Sequence, residues 1–125
     1  FQIDLSGGVT SLMSGYKSGT AIGKAIPEIP NLHVVTAGAA APKPEELIAS
    51  DAFGHVIQDL RKQYDIVIID TPPGGGSSAA DWIATRCGNV LLINRRDRTR
   101  LADARDFAAR MRSRATVVGA ILNTR

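Results

Sequence analysis

The sequence of 125 residues is poor in several residue types, and each shortage excludes a class of protein. A single cysteine, Cys87, excludes an internal disulfide and fits a reducing compartment. Three phenylalanines, two tyrosines and one tryptophan mean that the core is mainly aliphatic, although 44% of the residues are apolar. No run approaches the roughly 18 consecutive apolar residues of a membrane-spanning helix. The chain opens on Phe1 without a charged segment, so we recognise no signal peptide.

The sequence also lacks the phosphate-binding loop G-x-x-x-x-G-K-[ST] of nucleotide-hydrolysing α/β proteins. The stretch SGTAIGKA at 18–25 imitates it, but Ser18 replaces the first glycine and Ala25 replaces the hydroxyl residue that binds Mg²⁺. No predicted strand launches this stretch, as a phosphate loop requires. The glycine tract at 74–76 follows a predicted strand but has no lysine. We expect neither stretch to bind phosphate.

Four short apolar runs are present, at 32–36, 66–69, 90–93 and 116–122. None alternates polar with apolar residues, and continuous apolar strands are typical of a parallel sheet that helices cover on both faces. The order of strands and helices predicts an α/β fold made of right-handed crossovers.

The segments between these runs carry helical patterns. We predict helices over 44–62, 78–86 and 99–112, together with a short helix near residue 10 and a turn at 27–31. Gly54 is a candidate break in the first of these helices, with Ser50 or Asp51 as a new cap, and Thr99 is the predicted N-cap of the last.

One carboxylate stands where nucleotide-binding α/β proteins hold a metal. Asp70 ends the run DIVIID (65–70) and is followed by Thr71 and two prolines. Ligands of open α/β sheets bind beyond the carboxyl ends of the strands, and Mg²⁺ needs few protein ligands because it keeps waters. Asp70 is therefore a candidate Mg²⁺ ligand, and a cap for the following turn is the alternative. Asp81 is interpreted as a residue of a first helical turn.

Positive charge is concentrated near the end of the chain, although the net charge is only +3. Eight arginines fall between Arg95 and Arg114. A solvated basic face, contact with an anionic membrane surface and contact with DNA phosphate all fit this window. Phe107 is the one aromatic residue in this window, so aromatic and basic residues do not alternate there to support base stacking, and we do not expect nucleic acid as the partner.

Five segments, taken in order, resemble the bacterial tyrosine kinases of capsule and exopolysaccharide systems, which belong to the MinD/ParA-like class of P-loop ATPases. They are GGVTSLMSG (7–15), IPNLHVVTAGAAAPKPEELIAS (29–50), LRKQYDIVIIDTPP (60–73), NVLLINRRDRT (89–99) and VVGAILN (117–123). The sequence departs from the family in GGGSSAAD (74–81) and in Lys43, where the family has asparagine.

The resemblance implies a partial P-loop NTPase fold, Rossmann-like, with a mostly parallel sheet and helices on both faces. Residues 1–125 would be the C-terminal portion of a cytoplasmic kinase domain, with the phosphate loop upstream of Phe1 and a tyrosine-rich tail after Arg125. Asp70 then matches the Walker B aspartate that binds Mg²⁺, Thr71 lies beside it, and Asn123 matches a position that contacts adenine. Without the loop, we expect these residues alone to be inactive.

The same resemblance implies ATP and Mg²⁺ as cofactors and tyrosines of neighbouring copies as substrates. It also implies a membrane adaptor of polysaccharide export, fused or separate, and a location at the inner face of the bacterial membrane. Two alternatives stay open: a positioning ATPase of the ParA/MinD type, and a non-catalytic interaction domain that regulates a polysaccharide system.

Overall fold

The computed structural model describes residues 8–14, 23–73 and 78–124, and the chain divides into two compact units, residues 1–68 and 69–125. Each unit contains helix and strand, which confirms the predicted α/β class. The glycine tract at 74–76 and most of the phosphate-loop imitation at 18–25 lie outside the described residues. Within the described residues, no helix has the length and apolarity that a membrane crossing requires.

The first unit carries an antiparallel pair of very short strands. Strand β1 (Lys24–Ala25) pairs with β2 (His33–Val34), so only two residues of the strand predicted at 32–36 belong to a ladder. The predicted turn at 27–31 joins them, with Asn31 in the left-handed region at a φ of 66°. A connection this short dictates antiparallel pairing, because parallel strands need a crossover of a dozen or more residues.

The helices of the first unit are α1 (Val9–Ser14), α2 (Pro44–Ala49) and α3 (Asp51–Gln63). The break between α2 and α3 lies at Ser50, four residues before the predicted site, and Gly54 is buried inside α3. The Ser50 hydroxyl accepts a hydrogen bond from the Phe53 amide at 3.4 Å, which confirms Ser50 as the new cap. The buried face of α3 includes Phe53, Val56 and Ile57.

The second unit is a strand–helix–strand unit with one additional helix. Strands β3 (Asn89–Arg95) and β4 (Thr116–Asn123) are parallel, helix α5 (Leu101–Arg112) connects them, and α4 (Ala79–Cys87) precedes β3. These elements confirm the predicted strands at 90–93 and 116–122 and the predicted helices beside them. The core of the unit is formed by Ala84, Leu92, Ala108 and Met111.

Only one face of the parallel pair is covered by the described helices of this unit. Leu92 contacts α4 and α5 in the core, and Val90 and Asn94 alternate with it on the same side of β3. Leu91 and Ile93 point to the other side and are 52% and 59% exposed. The structure confirms the predicted α/β class with a parallel pair, and among the described residues of this unit the helices cover one face of the pair and leave the other exposed.

The apolar run at 66–69 is not a strand in the structure. Its residues form no ladder with any other described segment, and Ile66 and Ile68 are 78% and 88% exposed. A strand requires a neighbouring backbone to bond with, and the described residues supply none at this run. The predicted buried strand before Asp70 is therefore corrected to a segment without regular structure, in which Ile66 and Ile68 are exposed and Val67 and Ile69 are half-buried.

Candidate functional site

The segment that carries Asp70 leaves the end of α3 and has no regular structure. Helix α3 ends at Gln63, with Tyr64 as its C-cap, and residues 66–73 follow. The side chains of Asp70 and Thr71 are both exposed. No hydrogen bond or ion pair joins either of them to another described residue. The Asp70 carboxylate is therefore accessible and is not neutralised by a cation of the described residues.

The described residues offer at Asp70 a single carboxylate and not a dedicated metal cage. No group of three or more histidine, cysteine, aspartate or glutamate side chains occurs among the described residues. Mg²⁺ keeps several waters and is commonly held by one or two carboxylates together with substrate phosphates. Asp70 could supply one such carboxylate, and the Thr71 hydroxyl could bond to a water of the ion.

Asp70 and Thr71 lie near the beginning of the second unit's sequence, whereas Asn123 lies near its end and is the last residue of β4. It is the register partner of Arg95 at the end of β3, and its carbonyl oxygen accepts a hydrogen bond from the Arg96 amide at 2.8 Å. The structure thus brings Asn123 together with the arginine-rich turn at the carboxyl ends of two parallel strands. No hydrogen bond links Asn123 with Asp70 or Thr71.

The arginine-rich turn between β3 and α5 is closed by its own backbone. Thr99 was predicted as the N-cap of the helix, but α5 begins at Leu101 and its N-cap is Arg100, whose side chain makes no capping hydrogen bond. The Thr99 hydroxyl instead accepts a hydrogen bond from the Arg95 amide at 2.9 Å. The prediction about Thr99 is wrong because its hydroxyl is used to close the turn rather than to cap the helix.

Asp81 joins α4 to the C-terminal end of α5. Its Oδ1 lies 3.3 Å from Arg110 Nε, and its Oδ2 lies 3.4 Å from Arg114 Nη2. Within the described residues Oδ1 is buried without a hydrogen bond, so its contact with Arg110 is an electrostatic one. Asp81 lies in the first turn of α4, as predicted. The contact with the arginines was missed, because sequence spacing shows that Arg110 and Arg114 are one turn apart but not which helix they face.

Three comparisons with known proteins bear on this chain, and no family model matches it. The tyrosine-protein kinase CpsD of Streptococcus pneumoniae serotype 4 is 37% identical over 86 residues, which are 69% of this chain and 37% of the kinase. The solved kinase domain of VpsO superposes with a TM-score of 0.87 at 31% identity, over 98% of this chain and 61% of that chain. The solved chimerical protein CapA2B2 gives a TM-score of 0.88 at 28% identity, over 98% of this chain and 54% of that chain.

The sequence comparison and the structure comparison both lead to bacterial tyrosine kinases, and in each the region of similarity covers most of this chain. The chain spans 42% and 37% of the length of two of the curated relatives that it matches, and 14% of the length of a third. The resemblance inferred from the five sequence segments is therefore confirmed. By sequence and by fold, this chain belongs with the bacterial tyrosine-protein kinases.

Proposed function

We propose that the protein is an ATP-dependent tyrosine autokinase of a capsule or exopolysaccharide system. The observation that carries the proposal is Asp70, an exposed carboxylate without a described cationic partner, in a chain that superposes on the VpsO kinase domain with a TM-score of 0.87. The reaction transfers the γ-phosphoryl group of ATP to a tyrosine oxygen, and the tyrosine proton is released. Such transfers depend on positioning and on neutralisation of charge rather than on covalent catalysis by the protein.

Three residues of this chain have separate roles in the proposal. Asp70 binds the Mg²⁺ that accompanies ATP, directly or through a water, and Thr71 orients a water of that ion. Mg²⁺, when bound, neutralises charge on the phosphate oxygens. The Asn123 amide can donate a hydrogen bond to the adenine edge and accept another from it. Asn123 stands at the carboxyl end of a parallel strand, where ligands of α/β sheets bind.

The proposed partners are neighbouring copies of the protein and a membrane adaptor. Phosphorylation acts between copies, so the substrate tyrosines belong to a second molecule. The similarity to the chimerical protein CapA2B2 supports a kinase that works with a second protein, either fused or separate. We place the protein in the bacterial cytoplasm, at the inner face of the membrane that holds the adaptor.

The proposal is tested by phosphotyrosine blotting of the full-length protein, expressed with and without the substitution Asp70→Asn. Asp65→Asn is the matched control, because Asp65 is also exposed and lies at the other end of the same segment. We expect Asp70→Asn to reduce phosphotyrosine by about 100-fold or more, the loss typical of removing a group that stabilises transferring charge. Asp65→Asn should leave the signal unchanged.

Two results would contradict the proposal. A wild-type protein that hydrolyses ATP but never acquires phosphotyrosine would be a positioning ATPase instead. Equal phosphotyrosine levels in the wild type and in Asp70→Asn would show that Asp70 takes no part in the reaction.

A further inference from the structure

The turn between β3 and α5 presents concentrated positive charge beside an exposed apolar side chain. We call residues 95–101 the basic turn. It contains Arg95, Arg96, Arg98 and Arg100 with a single acid, Asp97, which gives it a formal charge of +3. All of its residues are exposed, and Leu101, at the start of α5, is 67% exposed. A leucine this open to water next to three net positive charges is what distinguishes this turn from an ordinary solvated face.

The backbone of the basic turn is held in one conformation. The Thr99 amide donates to the Arg95 carbonyl at 2.9 Å, and the Arg95 amide donates back to the Thr99 hydroxyl at 2.9 Å. The Arg96 amide is bonded to β4 through Asn123. Asp97 takes a left-handed φ of 59°, a conformation that aspartate tolerates better than most residues. A turn fixed in this way presents its side chains to a partner without paying for backbone ordering.

The other arginines of the window have different environments. Arg110 and Arg114 contact the Asp81 carboxylate. Arg105 and Arg112 line a cavity of about 350 Å³ between α5 and the parallel strands. The four arginines of the basic turn form no ion pair with any described residue. Helix α5 itself carries three arginines against two aspartates, a net charge of +1, whereas the basic turn carries +3, so the positive charge is concentrated at the N-terminal end of α5.

We infer that the basic turn docks onto the surface of a membrane that contains anionic lipid. The guanidinium groups contact the headgroups, and Leu101 enters the boundary between headgroups and acyl chains. Arginines near such a surface contribute about 1 kcal/mol each, and an apolar side chain that becomes buried adds to this. DNA would use the same charges but would leave Leu101 in water, and the turn has no aromatic side chain to stack on bases. The inference does not depend on kinase activity.

The test measures co-sedimentation of the full-length protein with vesicles of three parts phosphatidylcholine to one part phosphatidylglycerol. Pure phosphatidylcholine vesicles and a short duplex DNA are the comparison ligands. Arg100→Gln should lower the partition coefficient about fivefold, which corresponds to about 1 kcal/mol. Leu101→Gln should lower it about tenfold, through the apolar area that no longer leaves water.

Arg112→Gln is the matched control for the charge. Arg112 is also exposed and lies at the far end of α5, about 18 Å from Arg100 along the helix and beyond the Debye length at about 0.1 M salt. It should leave partition within about twofold of the wild type. Circular dichroism melting checks that each variant is folded, and Arg98→Gln replaces Arg100→Gln if the latter is not.

Four results would overturn the inference. The first two concern the wild type: it does not bind anionic vesicles, or it binds neutral vesicles equally well. The other two concern the variants: Arg100→Gln and Arg112→Gln lower the partition coefficient equally, or Leu101→Gln does not change it. Binding to DNA that depends on Arg100 but not on Leu101, without vesicle binding, would identify nucleic acid as the partner instead.

Discussion

At the scale of single residues, Gly8 is the glycine, among those of the described residues, where an added side chain would meet the shortest contacts. It is buried at the start of α1, where the Val9 amide donates to the Thr36 carbonyl at 2.8 Å and the Thr10 amide donates to the Ala37 carbonyl at 3.1 Å. A Cβ atom at Gly8 would collide with backbone atoms of Thr36 and Gly38. Backbone cannot rotate aside as a side chain can, so α1 would have to move away from this loop.

Gly8→Ala is therefore expected to lower the free energy of unfolding by about 2 kcal/mol, in the range of overpacking substitutions. Thermal unfolding followed by circular dichroism measures the change. Gly119→Ala is the control, because a Cβ there would lie 3.6 Å from the Leu91 side chain, an ordinary contact. Equal melting temperatures for Gly8→Ala and the wild type would show that α1 does not dock as described.

At the scale of elements, the carboxylate of Asp81 ties α4 to the C-terminal end of α5. Its side chain is only 20% exposed, whereas the side chains of Arg110 and Arg114 are 40% and 36% exposed. Solvent screens the two arginines in part, so the contribution of the cluster to stability is modest.

Asp81→Asn removes the charge and keeps the shape, and we expect the free energy of unfolding to fall by about 1 kcal/mol. The difference from the wild type should shrink at about 1 M salt, where the Debye length is about 3 Å. Asp106→Asn, at an exposed position of α5, is the control and should have little effect. Chemical denaturation at both salt concentrations gives the values, and a difference that does not respond to salt would show that packing, not charge, is lost.

The same scale shows what the sequence could and could not predict. Helices α2 to α5 and the strands of the second unit were predicted within a few residues, because caps, prolines and apolar spacing are local signals. The run at 66–69 was predicted as a buried strand from its composition, yet pairing depends on a neighbouring backbone that composition does not reveal. The prediction of Thr99 as a cap was wrong for a similar reason, because the partner of its hydroxyl, the Arg95 amide across the turn, is not evident from composition.

The candidate site was predicted less completely than the fold. The motif at 70–73 located Asp70 and Thr71, and the structure shows that both are accessible. Their roles, and that of Asn123, rest on the resemblance to the tyrosine kinases and remain predictions. The Asp81 cluster and the exposure of Leu101 could not be inferred from sequence, because both depend on how helix α5 packs.

At the scale of the whole molecule, the central claim is that Asp70 acts through a divalent ion bound with the nucleotide. The claim separates two properties of the protein, its affinity for nucleotide and the gain in affinity that Mg²⁺ provides. A carboxylate that only supports the local backbone would change the first property without a specific effect on the second.

The most direct measurement is therefore the affinity of the full-length protein for ADP by isothermal titration calorimetry. It is made in the presence of Mg²⁺ and in the presence of EDTA, for the wild type, Asp70→Asn and Asp65→Asn. The account predicts that Mg²⁺ tightens ADP binding for the wild type and for Asp65→Asn, and that Asp70→Asn loses this gain. An Asp70→Asn variant that keeps the full Mg²⁺-dependent gain would contradict it.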